Sequence, residues 1–261
     1  MKTTGFVNQK GGVGKSTCCD QTARAAHELG LRVLLVDLDP QGSLSTAHVA
    51  TGQHEGEAST ASQLFAQGGT IVPEVLQPGL SIIRADDVLR QLRADNREGL
   101  KRPAKHLKAL AKDFDLCLID TPGALGENVP TTTAALIAAD YVVCPFAVGL
   151  FEAKPLNDLW MHLQQVIESG QNPNLRVAGL LPSKVNIKSG EEKGALDDLR
   201  QHPVVGKFIL PVVLGERAAV KQAIFARKPV WRGVRGEGHK TAAAEWKAAT
   251  KLVLQTVGVL K

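Results

Sequence analysis

The sequence predicts an α/β fold, with one doubly wound, mostly parallel sheet and helices on both faces, spanning residues 1–261 as a single domain. Three observations lead there. The apolar runs are continuous rather than alternating, as expected of strands covered on both faces. Helix-compatible stretches separate those runs along the whole chain. A glycine-rich loop, Asn8 to Thr17 (NQKGGVGKST), joins the first strand to the first helix.

The elements follow in order. Gly5-Phe6-Val7 is a short buried strand. Ala23, Ala25, Ala26 and Leu29 set a helix over 15–29, with Gly30 as its C-cap. Val33 to Val36 is a strand ending at Asp37. Residues 51–62 are polar and loop-like. Leu80 to Ile83 is a shorter strand, and a helix follows over 100–112. Leu116 to Ile119 is a strand ending at Asp120, followed by a helix over 131–139. Tyr141 to Cys144 is a strand, then come a helix over 153–168, a strand from Val177 to Leu181, and a helix over 190–201. Phe208-Ile209-Leu210 reads as the last strand. A helix over 239–257 ends the pattern, with Trp246 facing inward.

Bulk properties narrow the functional classes. With 44% hydrophobic and 22% charged residues, the composition is that of a soluble globular protein. No apolar run is long enough to span a bilayer, and the chain enters its first strand without a signal-peptide layout. Cys18, Cys19, Cys117 and Cys144 lack paired metal spacing and read as buried, reduced thiols of a cytoplasmic protein. The net charge of +5 is uneven. Residues 217–261 hold ten Lys/Arg and two acids, a net +8, which leaves −3 on the other 216 residues. That asymmetry points to a polyanion surface in the C-terminal part.

The glycine loop carries the chemistry. Glycines let successive N–H groups wrap a phosphate, and the following helix N-terminus adds its positive end. Gly11, Gly12, Val13, Gly14, Lys15, Ser16 and Thr17 form this cradle. Lys15 reaches the β/γ-phosphates and Ser16 ligates Mg²⁺. The common pattern needs a glycine at position 9; this chain has Gln9, and a second lysine, Lys10, precedes the Gly-Gly pair. Asp37, Asp39 and Asp120 sit just past strand ends, on the side where open parallel sheets bind ligands. Three acids beside a polyphosphate need Mg²⁺ between them, because otherwise they repel it.

Lys10 to Thr17, the block Asp37-Leu38-Asp39-Pro40-Gln41-Gly42, and Asp120-Thr121-Pro122-Gly123 together resemble the ParA family of partition ATPases, in the MinD/ParA group of deviant P-loop ATPases. The stretch from Pro211 to Arg217, with Ala223 and Lys228-Pro229, is similar more loosely. The resemblance implies that Lys10 reaches across a nucleotide-sandwich homodimer to the partner's ATP, as an arginine finger does. It implies that Asp39 positions or activates the attacking water, and that Asp37 and Asp120 hold the Mg²⁺ shell, through water. No Asn-Lys-x-Asp guanine-reading motif is present; Ser183-Lys184-Val185-Asn186 only echoes it, so ATP is the expected nucleotide. Its adenine is expected near Pro182 to Asn186 and Pro211 to Leu214.

The family's sequence-independent DNA binding matches the basic C-terminal set of Arg217, Lys221, Arg227, Lys228, Arg232 and Arg235. Arg90, Arg93, Arg97, Lys101, Arg102, Lys105 and Lys108 form a second cluster able to extend that surface. The implied activity is a weak ATPase stimulated by a ParB-like adaptor, working on the nucleoid in plasmid or chromosome partition. Longer members carry an N-terminal helix-turn-helix domain; this chain starts at the P-loop strand, so operator-specific repression is not expected. Positioning of a non-DNA cargo is the alternative within the same machinery. A MinD-like membrane regulator is a different class, but Leu252 to Lys261 holds one charge and no aromatic and reads as the end of a packed helix.

Overall fold

The computed structural model describes residues 1–50, 58–126, 129–149, 153–233 and 235–260. The expected loop over 51–62 therefore lies partly outside the described residues. Eight strands form one sheet in the order β3-β4-β2-β5-β1-β6-β7-β8. The strands are β1 (Lys2–Phe6), β2 (Val33–Asp37), β3 (Glu74–Gln77), β4 (Leu80–Ile83), β5 (Leu116–Asp120), β6 (Tyr141–Phe146), β7 (Arg176–Val185) and β8 (Leu214–Gly215). All pairings are parallel except that of the edge strand β3 with β4.

The helices are α1 (Lys15–Glu28), α2 (Ser43–Thr46), α3 (Arg97–Ala109), α4 (Pro130–Ala138), α5 (Ala153–Glu168), α6 (Gly190–Gln201), α7 (Ala218–Phe225) and α8 (Glu237–Thr256). The continuous apolar runs are explained by the faces they meet. In β2, Val33 and Leu35 pack with α1 and α8, whereas Leu34 and Val36 pack with α3 and α4 on the other side. Val142, Cys144 and Phe146 of β6 enter a third cluster with α5. Gly30 closes α1 with φ 83, and Leu31 N–H returns to the Ala26 carbonyl at 3.1 Å. Trp246 faces inward from α8, and Val257 is fully buried beyond it. All four cysteines are free and buried, and burial pushes the Cys18 and Cys144 thiols up to about 12.

The last expected strand is corrected. Gly206–Phe208 is a 3-10 turn, Ile209 makes only an isolated bridge to Leu180, and β8 lies further on at Leu214–Gly215. Pro211 has no N–H to continue a ladder begun by Leu210, whose N–H bonds the Leu180 carbonyl at 2.9 Å. The periodicity missed β3, α2 and α7, all short elements. Most helix ends shift by up to three residues, and α5 and α6 match their expected spans.

Candidate active site

The parallel strands β1, β2 and β5 end side by side, with Phe6 paired to Asp120 and Asp37 paired to Asp120. This register brings the glycine loop and the three aspartates together. The loop leaves β1 and turns into α1 through Gly12 at φ 78 and Gly14 at φ 93, conformations that side chains rarely adopt. Gly14 caps α1, so the first turn of the helix opens toward the loop. Asn8 fixes the base of the loop: its Nδ2 donates to the Pro145 carbonyl at 2.8 Å, and its Oδ1 accepts from Lys10 N–H at 2.9 Å. Gln9, in the place of the missing glycine, donates to the Pro155 carbonyl at 3.1 Å, which ties the loop to α5.

Lys15 is only 6% exposed and donates to the Lys10 carbonyl at 3.2 Å, folding back over the loop. Burial pulls its pKa down, while Asp120 and Asp39 oppose that fall. Asp120 is wholly buried, and neither of its carboxylate oxygens meets a hydrogen-bond partner of good geometry. Burial, then the nearby Asp37, push its carboxyl up to about 8, against the opposing pull of Ser16 and Lys15. Asp37 is also buried, and burial raises its pKa. Its Oδ2 accepts from both the N–H and the hydroxyl of Ser45 at 2.7 Å, and its Oδ1 accepts from Asp39 N–H at 3.2 Å. Asp37 thus clasps α2 to the turn that carries Asp39. Asp39 is half-buried, and its Oδ1 accepts from Gln41 N–H at 2.9 Å.

A cavity of about 660 Å³ lies over this arrangement, lined by Gly11, Gly12, Gly14, Lys15, Ser16, Thr17, Asp39 and Gly123 among others. Lys10, Val13, Asp37, Asp120 and Pro211 lie outside its lining. Arg90 and Lys184 also line it: Lys184 lies in the 182–186 stretch expected beside the nucleotide, whereas the sequence groups Arg90 with the second basic cluster. Arg90 donates to the Pro40 carbonyl at 2.9 Å. Lys184 has φ 55 and sits where the register shifts between β7 and β8. A bulge of this kind re-aims a side chain.

The donor set fits Mg²⁺ and a polyphosphate. The Ser16 hydroxyl and the Asp37 and Asp39 carboxylates, all hard oxygens, lie close enough to the buried Asp120 carboxylate to shift its pKa. Among the described residues no three His, Cys, Asp or Glu form a metal cage.

The six basic residues of the C-terminal segment differ in their engagement. Arg217 is bound to Glu245, with its Nε 2.9 Å from Oε2, and both side chains are mostly buried. Lys221 pairs with Glu216 at 2.9 Å and Arg232 with Glu28 at 2.7 Å, while Arg227 donates to the Thr46 carbonyl at 3.3 Å. Lys228 and Arg235 are exposed. Among the described residues no helix is long and apolar enough to cross a membrane.

The family model described as AAA domain matches residues 1–177. The chain is 32% identical over 97% of its length to protein IncC of Escherichia coli, and covers 69% of that protein. It is 28% identical over 88% of its length to the chromosome partitioning protein ParA of Caulobacter vibrioides, covering 86% of it. A variant of McdA from Cyanothece, solved in complex with ATP, superposes with a TM-score of 0.82 at 21% identity, covering all of this chain and 97% of that one. At that identity the likeness speaks for the fold alone.

Proposed function

This chain belongs to the ParA family of P-loop partition ATPases, and from that premise we propose that it is an ATP-dependent dimeric ATPase. It binds DNA nonspecifically and drives plasmid or chromosome partition on the nucleoid, with hydrolysis stimulated by a ParB-like adaptor. The observation that carries the reading is that Lys15, Ser16 and Asp39 line one cavity, with the buried Asp120 carboxylate close enough to all three for each to shift its pKa.

Lys15, the loop N–H groups from Gly11 to Thr17 and the start of α1 bind the phosphates of ATP. Ser16, with Asp120 and Asp37 through water, holds Mg²⁺. The ion supplies charge neutralisation at the phosphate oxygens. Asp39, at the open side, orients the attacking water and takes up its proton. Lys10 is exposed on the loop and meets the nucleotide of the second protomer. Its charge makes turnover depend on dimerisation. Pro211 lies on the adenine side. Lys228 and Arg235, with Lys221, Arg227 and Arg232, contact DNA phosphates. Arg217, held by Glu245, supports that surface from beneath.

Co-sedimentation with random-sequence DNA in ATP, in ADP and without nucleotide tests the reading. Binding that requires ATP and weakens steeply with salt is expected. Equal binding in all three states, or none, overturns it.

A further inference from the structure

Phe225 is 93% exposed, the most exposed large apolar side chain among the described residues. It ends α7, a helix of which no residue is buried. Ala219, Val220 and Ala223 rest against the core. Ala218, Lys221, Gln222 and Phe225 follow the spacing of the opposite face, which places Lys221 one turn before the ring. The chain then doubles back. Arg227 N–H bonds the Ile224 carbonyl and Lys228 N–H the Ala223 carbonyl, each at 2.9 Å, and Arg227 adopts φ 52 to make the turn. Two exposed cations therefore follow the ring after Ala226, and a third precedes it by one turn. The acid beside this group, Glu216, is already paired with Lys221.

A partner that covers this ring must offer a flat apolar face with negative charge on both sides. A bilayer requires a broad apolar stripe; α7 has eight residues, and Lys221 and Gln222 share the ring's face. A protein hot spot sits inside an apolar patch with a polar rim, whereas here the ring's exposed apolar neighbours are only Ile224 and Ala226, and Lys221, Arg227 and Lys228 stand around them. Nucleic acid sets apolar base faces between regularly spaced phosphates.

We propose that Phe225 docks against the bases of DNA, as a wedge at a duplex step or a platform for an unpaired base. Lys221, Arg227 and Lys228 hold the phosphates on either side. The inference rests on the DNA-binding reading above and deepens it. It makes the surface one that reads base stacking and deformability as well as charge.

The test titrates the parent, Phe225→Ala, Phe225→Trp and Lys228→Ala, each with ATP and Mg²⁺, against a labelled random-sequence duplex and a single strand of equal length, across several salt concentrations. Phe225→Ala lowers affinity roughly tenfold and leaves the slope of log K against log salt unchanged. Phe225→Trp retains affinity. Lys228→Ala reduces the slope by about one. A greater loss on the duplex assigns the wedge; a greater loss on the single strand assigns the platform. Because the ring is almost fully exposed, the variants unfold at the parent's temperature.

The inference is overturned if Phe225→Ala binds both DNAs as the parent does. It is also overturned if the loss tracks loss of the ATP-dependent dimer in light scattering, or if only binding to anionic vesicles changes. A parent that binds no DNA overturns the underlying reading itself; a parent that binds while Phe225→Ala is unchanged overturns this inference alone.

Discussion

Gly123 is the most sensitive probe of how the phosphate loop is held. It ends the turn after β5, and a methyl group placed on it would lie 2.8 Å from both Gly11 N and Gly11 Cα, and 3.3 Å from the Lys10 carbonyl carbon. Carbon contacts settle at about 3.5–4.0 Å, so one side must retreat by roughly 0.7 Å or more. Neither side moves freely. Thr121 Oγ1 pins the turn to the Phe6 carbonyl at 2.7 Å, and Asn8 holds the loop to Pro145 and to Lys10. The peptide under pressure is also the one whose carbonyl accepts Lys15 Nζ, so its displacement carries the phosphate-binding ammonium with it. A misplacement of about 1 Å in a site costs on the order of 100-fold. Gly123→Ala is therefore expected to weaken Mg·ATP binding about 100-fold, and overpacking should cost about 1–3 kcal/mol of stability. Gly190→Ala, whose methyl meets no atom within 4 Å, is the control and should bind as the parent does. Titration with a fluorescent ATP analogue reads the affinity, and circular dichroism confirms the fold. An affinity for Gly123→Ala within about twofold of the parent refutes the argument that β5 clamps the loop.

Lys15→Ala should abolish ATP binding, measured by the same titration, while Asp39→Ala should keep ATP binding and dimerisation and lose about 100-fold or more in turnover, measured by phosphate release. Arg217→Ala leaves the mostly buried Glu245 without its cation, held only by the Gly215 N–H at 3.2 Å, and should cost about 1–3 kcal/mol in urea unfolding, with a smaller loss of DNA affinity than Lys228→Glu combined with Arg235→Glu. The contribution of Asp120 to the stability of the nucleotide-free protein should fall as pH rises from about 4 to about 8. Asp120 titrates near 8 when folded and near the ordinary carboxylate value when unfolded, so the folded state binds the extra proton across that window and gives it up at the top. Asp120→Asn, followed by thermal unfolding at several pH values, should flatten that fall.

The sequence made the fold and the phosphate cradle legible because both depend on local patterns. A buried parallel strand needs an uninterrupted apolar run, and β2 and β5 supply one whichever side each residue faces. The loop is legible for a similar reason: Gly12 and Gly14 take positive φ, and few residues besides glycine do so readily. The elements that escaped notice lack such a pattern. β8 has two residues, α2 has four, and α7 divides its apolar side chains between two faces and fully buries none of them. The strand expected at 208–210 failed because an apolar triplet carries no information about the proline that follows it.

Charge shows the sharper division. Counting Lys and Arg locates a basic segment, but not what each cation faces. That depends on residues far along the chain, and only the tertiary arrangement brings them together. Arg217 is answered by Glu245 and Arg232 by Glu28, 204 positions away, whereas Lys228 and Arg235 stay exposed. Arg90, grouped by sequence with a surface cluster, instead borders the phosphate cavity from the Pro40 turn. Lys184 lines the same cavity from a backbone in the left-handed region at a register shift. A cation's partner decides whether its charge goes to stability, to a bound phosphate or to a distant polyanion. For the three aspartates, by contrast, the strand register decides, and that register follows from the apolar runs. The acids of the candidate site could therefore be read from the sequence, while the sorting of its cations could not.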